Sequence, residues 1–175
     1  MNDHVHTDRI EELRQHVTER TSTSDDVDGI LEIDQLSFEN CFLRQMILDR
    51  IQEQGEYGER LERRSVTCSD SNDFEVLGYM FGVFHASRHE DEQKLGRTQF
   101  TISRLAVHPS TRWRYIGTSL IDHAIKMAKN ANSTSVQVGI NVDDVSVGSL
   151  IFLERMQFEL SATAGILNLY ERRLA

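Results

Sequence analysis

The sequence predicts an α/β fold with a mixed, mostly antiparallel central sheet flanked by helices. Three observations predict it. Apolar residues alternate between strand and helix spacing in a fixed order: strand, two helices, three strands, helix, strand, helix, two strands. Two segments that read as strands, Leu61–Cys68 and the more apolar Phe74–Phe84, flank a Ser69-Asp70-Ser71-Asn72-Asp73 turn. That central antiparallel hairpin separates the chain from a doubly wound nucleotide fold. Finally, 175 residues suit one domain, a size that buries about 70% of the unfolded surface. Residues 13–175 are assigned to that domain and 1–12 to an N-terminal extension.

Residues 8–19 have Ile10, Leu13 and Val17 at helical spacing, while 13–21 read equally as an edge strand. Ser22 to Asp26 form a polar helix entry. A first helix then covers Val27 to Phe38, with Ile30, Leu31, Ile33 and Leu36. A second fits Cys41 to Gln54 on the stripe Phe42, Met46, Ile47 and Ile51, ended by Gly55. After the hairpin, His89 to Arg97 is a charged loop and Gln99 to Val107 a strong strand. A helix from Tyr115 to Ala131 carries Ile116, Leu120, Ile121, Ala124 and Ala128 on one face. Ser135 to Ile140 alternates as a strand, Val145 to Met156 is a helix, and Phe158–Leu160 and Gly165–Tyr170 are closing strands.

Composition narrows the classes. The chain is 39% hydrophobic and 27% charged, with one proline, Pro109, so collagen-like, Pro-rich and low-complexity classes are excluded. Cys41 and Cys68 form neither a disulfide framework nor a zinc motif, and are expected reduced in a cytoplasmic protein. No apolar run reaches the roughly 20 residues of a membrane span, and Met1-Asn2-Asp3-His4 does not open a signal peptide. The net charge of −9 disfavours phosphate backbones and suits a cationic partner such as an amine or basic peptide. His85, His89, Glu90, Asp91 and Glu92 match no metal spacing, so no metal is expected.

Chemistry concentrates between Ile102 and Ile121. An apolar strand ends at Pro109, an arginine-rich turn follows, and a helix begins near Gly117. A helix start offers open N–H groups and a positive dipole end, which suit an anion. Arg112 and Arg114 add cationic donors and Thr118 a hydroxyl. Taken alone, the stretch also reads as an ordinary strand-to-helix connection with solvated arginines.

The stretch resembles the acyl-CoA-binding motif of the GNAT superfamily of N-acetyltransferases, in which an L-A-V-x-P strand leads into Q/R-x-x-G-x-G/A and an amphipathic helix. Leu105-Ala106-Val107-His108-Pro109 matches the strand, Arg112 the Q/R position and Gly117 the last glycine. Phe152 to Phe158 resembles the family's last-helix box, and the element order resembles the family from about Leu13 to Tyr170. The resemblance implies the acyl-CoA N-acyltransferase fold and acetyl-CoA as co-substrate. It implies that the strand ending at Val107 opens away from its neighbour. Leu105, Ala106 and Val107 would meet the acyl and pantetheine groups. Arg112, Trp113, Arg114, Tyr115, Ile116, Gly117 and Thr118 would hold the pyrophosphate. Ser146 falls near the family's asparagine and would contact the CoA arm.

The chain departs from the pattern at three positions. Tyr115 stands where the first motif glycine belongs, Leu153 where the family often has a tyrosine acid, and Gln157 where the box has glycine. Ser149, on the last helix's first turn, and Glu32, on the first helix, are the candidate catalytic residues; His108 is placed near the CoA mouth. The implied function is an acetyl-CoA-dependent N-acetyltransferase acting on a small amine or a protein N-terminus. Neither nucleic acid nor membrane is an expected partner, and a homodimer is left open. The alternative is a weak or inactive GNAT-like module that binds CoA or acts through protein contacts.

Overall fold

The structure is a computed structural model. It describes residues 17–52, 56–57, 60–69, 75–86, 91, 94–112, 115–144 and 146–174. Strand β1 (Val17–Thr21) leads through a 3-10 turn at Ser24–Asp26 into helices α1 (Val27–Ser37) and α2 (Arg44–Gln52). Strands β2 (Glu56–Tyr57), β3 (Arg60–Ser69), β4 (Val76–Ala86) and β5 (Thr98–Val107) follow. A 3-10 turn at Pro109–Thr111 precedes α3 (Ile116–Asn130), then come β6 (Ser133–Asn141), α4 (Val147–Arg155), β7 (Glu159–Ala164) and β8 (Leu167–Arg173). The sheet order is β1-β3-β4-β5-β6-β8-β7, with β2 on β3. The β1–β3, β2–β3, β6–β8 and β7–β8 ladders are antiparallel. The β5–β6 ladder is parallel, as a helical crossover through α3 requires.

The backbone groups into two units, and β3, β4 and β5 each give residues to both. Unit one comprises Met1–Glu53, Arg64–Met80 and Leu105–Leu120. Its core joins Ile30 and Ile33 of α1, Ile47 of α2, Tyr79 and Met80 of β4, and Leu120 of α3. Asp34, on α1, is fully buried, and its carboxylate accepts from the Tyr79 hydroxyl and the Phe42 backbone N–H. Before α1, the Arg20 guanidinium grips both oxygens of Asp26 at 2.7 and 2.6 Å, and Thr23 N–H donates to the same carboxylate at 2.7 Å. This closes the helix entry expected at Ser22 to Asp26.

Unit two comprises Gln54–Arg63, Phe81–Arg104 and Ile121–Ala175. Phe84 and Phe100 pack with ring centres 4.6 Å apart. The Phe100 ring lies directly over Gly82, where a Cβ has no room. Leu153 and Phe158 anchor α4 and the chain beyond it, and Arg172 ties β8 to the Met156 carbonyl at 2.9 Å.

Several boundaries differ from the sequence reading. The second helix starts at Arg44 rather than Cys41, because Phe42 N–H is committed to Asp34. Met46 is exposed, so the buried stripe of that helix is Ile47 and Ile51. The last helix starts at Val147, where Ser146 caps it. The closing strands are Glu159–Ala164 and Leu167–Arg173, displaced from Phe158–Leu160 and Gly165–Tyr170. All of β7 is exposed, so it carries no apolar alternation to mark it. In the stretch read as a charged loop, Asp91 and Lys94 have helical conformation and pair at 3.7 Å. Of the N-terminal alternatives, the strand holds from Val17 to Thr21, while 1–16, and 70–73 of the hairpin turn, lie outside the described residues.

Candidate functional site

β5 is the strand to which the motif is attached. Its ladder with β6 runs from Thr98↔Ser133 to Ile102↔Val138, and no pair among the described residues extends it. β5 nevertheless continues to Val107 and β6 to Asn141. Ser103, the first residue beyond the ladder, is exposed although it lies on an interior strand between buried Ile102 and half-buried Arg104. Past the Ile102↔Val138 pair, β5 continues with no ladder to β6 among the described residues. Leu105, Ala106 and Val107 lie on this stretch, with Ala106 buried and the other two half-buried.

Beyond Val107 the chain is tied down. His108 N–H donates to the Leu77 carbonyl at 2.9 Å, and Thr111 N–H to the His108 carbonyl at 2.9 Å. Arg112 turns back: its Nε donates to the Val107 carbonyl at 3.3 Å and its Nη2 to Ser37 Oγ, at the end of α1, at 3.2 Å. Trp113 and Arg114 lie outside the described residues. Tyr115 has φ +75°, the left-handed conformation that glycine adopts freely. The turn at Tyr115 thus has a backbone conformation that glycine adopts without strain. The Tyr115 carbonyl accepts Ser119 N–H at 2.9 Å, which starts α3. The amides of Ile116, Gly117 and Thr118 precede that bond and have no helical carbonyl to reach. Gly78 of β4 lets this end of α3 come close: a Cβ there would sit 2.9 Å from Ile116 Cγ2 and 3.1 Å from the Ala106 carbonyl. In unit one, the β5 end, the Pro109–Thr111 turn and the start of α3 are thus each tied to their neighbours.

The other expected residues are occupied. His108 Nδ1 accepts Ser110 N–H at 3.2 Å and lies 2.6 Å from Ser110 Oγ. The neutral ring then carries its proton on Nε2, which faces Glu32 Oε1 at 3.9 Å. Ser146 Oγ accepts Ser149 N–H at 3.0 Å, and the two hydroxyls lie 2.7 Å apart, so both serve the α4 cap. Leu153 is buried. Tyr170 is the Cα partner of Val138, on the sheet face that also carries Ile102.

The opposite face holds a polar row that the sequence reading did not single out. Thr101 pairs with Gln137 and Gln137 with Glu171, so their side chains share a face across β5, β6 and β8. His85 of β4 joins the row, its Nε2 3.2 Å from Thr101 Oγ1. One step below, Gln99 donates to Ser135 Oγ at 3.2 Å. Arg173 Nε lies 3.5 Å from Glu171. The signal was available as strand parity: Gln99, Thr101 and Ser103 alternate with Phe100 and Ile102.

No protein-family model and no curated protein sequence matches the chain. Solved structures do. Ard1 from Thermoplasma volcanium is similar with a TM-score of 0.67 at 21% identity, over 91% of this chain and 99% of that one. Arabidopsis thaliana NAA60, in complex with acetyl-CoA, gives 0.71 at 14%, over 90% and 98%. The PaiA N-acetyltransferase from Thermoplasma acidophilum, in complex with coenzyme A, gives 0.68 at 13%, over 90% and 99%. These likenesses establish the fold: the chain has the GNAT acyl-CoA N-acyltransferase fold, as the motif implied.

Proposed function

We propose that this chain, with the fold of the GNAT N-acetyltransferases, is an acetyl-CoA-dependent N-acetyltransferase that transfers the acetyl group to an amine. One observation carries the reading. β5 runs five residues past Ile102, the last of its residues paired with β6, and leads on to left-handed Tyr115 and the start of α3. A strand that outruns its ladder suits the amide-bearing pantetheine arm, and the amides of Ile116, Gly117 and Thr118 at a helix start suit the pyrophosphate. Leu105, Ala106 and Val107 are assigned to the acyl and pantetheine groups, and Arg112, Trp113, Arg114 and Tyr115 to the phosphate side. Arg112 must exchange Ser37 or the Val107 carbonyl for phosphate to do this, and the stronger charge-assisted bond favours that exchange.

In this reading the amine attacks the thioester directly, and the protein supplies alignment and a route for the proton. NAA60 and PaiA were crystallised with acetyl-CoA and coenzyme A, which supports the choice of co-substrate. The acceptor is a protein N-terminus or a small amine, in keeping with the net charge of −9. No described helix is long and apolar enough to cross a membrane, and we assign the chain to the cytoplasm. Ser146 is assigned to the CoA arm and Ser149 to the reacting end through their shared cap. Glu32 belongs to the acceptor side on α1.

Buried Leu153, at the position of the family's tyrosine acid, favours a second reading: a module that binds CoA without efficient transfer. Two measurements separate them. The first is the melting temperature with saturating CoA, which rises if the native state binds it. The second is thiol release from acetyl-CoA with a panel of amines and free-N-terminus peptides. Binding with turnover supports the enzyme, and binding without turnover the module. An unchanged melting temperature sinks both.

A further inference from the structure

We propose that Thr101 and His85 form the proton route of this reaction, an inference that rests on the acetyltransferase reading. In unit two the β5–β6 ladder ends at Ile102↔Val138, and the next residue, Ser103, is exposed. Ser103 shares a face with Thr101, two residues earlier, a separation of about 7 Å along a strand. On β6 the position after Val138 is Gly139, over which Leu167 and Leu169 lie, and the Ser103 hydroxyl is committed to the Phe81 carbonyl at 3.2 Å. Thr101 is therefore the first hydroxyl on β5 below the point where the sheet opens. Behind it stands His85, with Nε2 3.2 Å from Thr101 Oγ1. Both are half-buried, close enough to solvent for the proton to leave.

The other candidates are committed elsewhere. Ser149 Oγ is held by Ser146 Oγ. In neutral His108, Nδ1 already accepts from Ser110 and Nε2–H points at Glu32. Tyr170 lies on the opposite face of the sheet from Thr101. The other charged side chains of the row, Glu171 and Arg173, pair with each other.

The step balances without any further reactant. The amine lone pair forms the N–C bond as the C–S bond breaks and CoA leaves as thiolate. The proton on nitrogen moves to Thr101 Oγ1 while the Thr101 proton moves to His85 Nε2. The imidazolium gives that proton to water, and the thiolate takes one from water. The sum is amine plus thioester giving amide plus thiol. Thr101 touches the substrate, and His85 acts through it.

The test uses the full chain, acetyl-CoA, and two acceptors: a short peptide with a free N-terminus and a small alkylamine. His85→Gln and Thr101→Val each lower kcat by about 10²-fold or more with KM for acetyl-CoA unchanged, and Thr101→Ser restores the rate lost in Thr101→Val. The wild-type kcat rises with pH along a limb that His85→Gln removes. CoA-induced melting shifts in all variants verify that each is folded. If the wild type turns over and Thr101→Val keeps its kcat, or the limb survives in His85→Gln, the route is wrong and the enzyme reading stands. If the wild type binds CoA and releases no thiol with either acceptor, the enzyme reading fails and takes the route with it.

Discussion

The Tyr79 hydroxyl donates to the carboxylate of Asp34 inside unit one, and both residues are fully buried. The bond links β4 to α1, while the other Asp34 oxygen takes Phe42 N–H and sets the chain path toward α2. A carboxylate this deep is costly unless its acceptor sites are filled. Tyr79→Phe should therefore cost about 1–3 kcal/mol, the range for orphaning a buried group. Asp34→Ala, which removes the acceptor of both bonds, should cost at least as much. Urea unfolding reads both, and a Tyr79→Phe variant as stable as the parent would refute the linkage.

Asp26 makes the fold acid-sensitive at the entry to α1. Burial by itself raises its pKa, but the Arg20 pair and the Thr23 N–H outweigh burial and hold it below the ordinary value of 3.8. A carboxyl with a depressed folded pKa contributes stability above its unfolded pKa and loses it as pH falls through the folded value. Stability should therefore decline below about pH 4, and Arg20→Ala should shrink that acid-dependent part. Urea midpoints across pH 3 to 6 for the two proteins measure it. Equal acid slopes in both would remove Asp26 as the cause.

Much of this was legible in the sequence, and the gaps have physical causes. Phe84, Phe100, Ile102, Leu120 and Ile121 alternate or repeat strongly, and each is buried. β7 is exposed along its whole length and offers no such pattern. The motif at Leu105 to Gly117 marked the open helix start because that start depends on local backbone. The left-handed turn at Tyr115 was legible only as a misplaced tyrosine, since no propensity predicts φ +75° for that residue. The Arg112–Ser37 bond spans 75 positions, and His85 meets Thr101 across two strands. Such contacts arise from pairing register, which short-range patterns do not encode.

Tyr115 carries strain that glycine would not. A non-glycine residue in the left-handed region costs about 1–3 kcal/mol, partly offset because glycine gains chain entropy on unfolding, about 0.5–1 kcal/mol. Tyr115→Gly should be neutral to stabilising by about 1–2 kcal/mol, and Tyr115→Val, with a branched Cβ, should be less stable than the parent. Thermal melts of the three proteins check the order. A Tyr115→Gly protein clearly less stable than the parent would mean that the ring makes contacts worth more than the strain.

In the proposed reaction, the sheet face that Tyr170 occupies argues against it as the acid for the departing thiolate. It pairs with Val138 on the side that carries Ile102, and Thr101, beside the sheet opening, points the other way. Tyr170→Phe should leave the rate of thiol release and its pH profile as in the parent. A falling limb near the tyrosine pKa of about 10 that vanishes in Tyr170→Phe would reassign the acid.

Arg112 offers the sharpest separation of fold from ligand. Its guanidinium is exposed and spans the Val107 carbonyl and Ser37, so removing it strands no buried group. Arg112→Ala should change stability by about 0.5 kcal/mol or less. A hydrogen bond to a charged partner is worth about 1.5–3 kcal/mol, so the same change should raise the CoA Kd by roughly tenfold to a hundredfold. Ser37→Ala removes only the link to α1, frees the guanidinium for phosphate, and should bind CoA at least as tightly as the parent. Gly117→Val places a branched side chain among the open amides of α3 and should weaken binding more than Arg112→Ala does. Calorimetric titration of CoA into the four proteins gives the ranking. If Arg112→Ala and Gly117→Val both bind like the parent, the open start of α3 is not where the pyrophosphate lies.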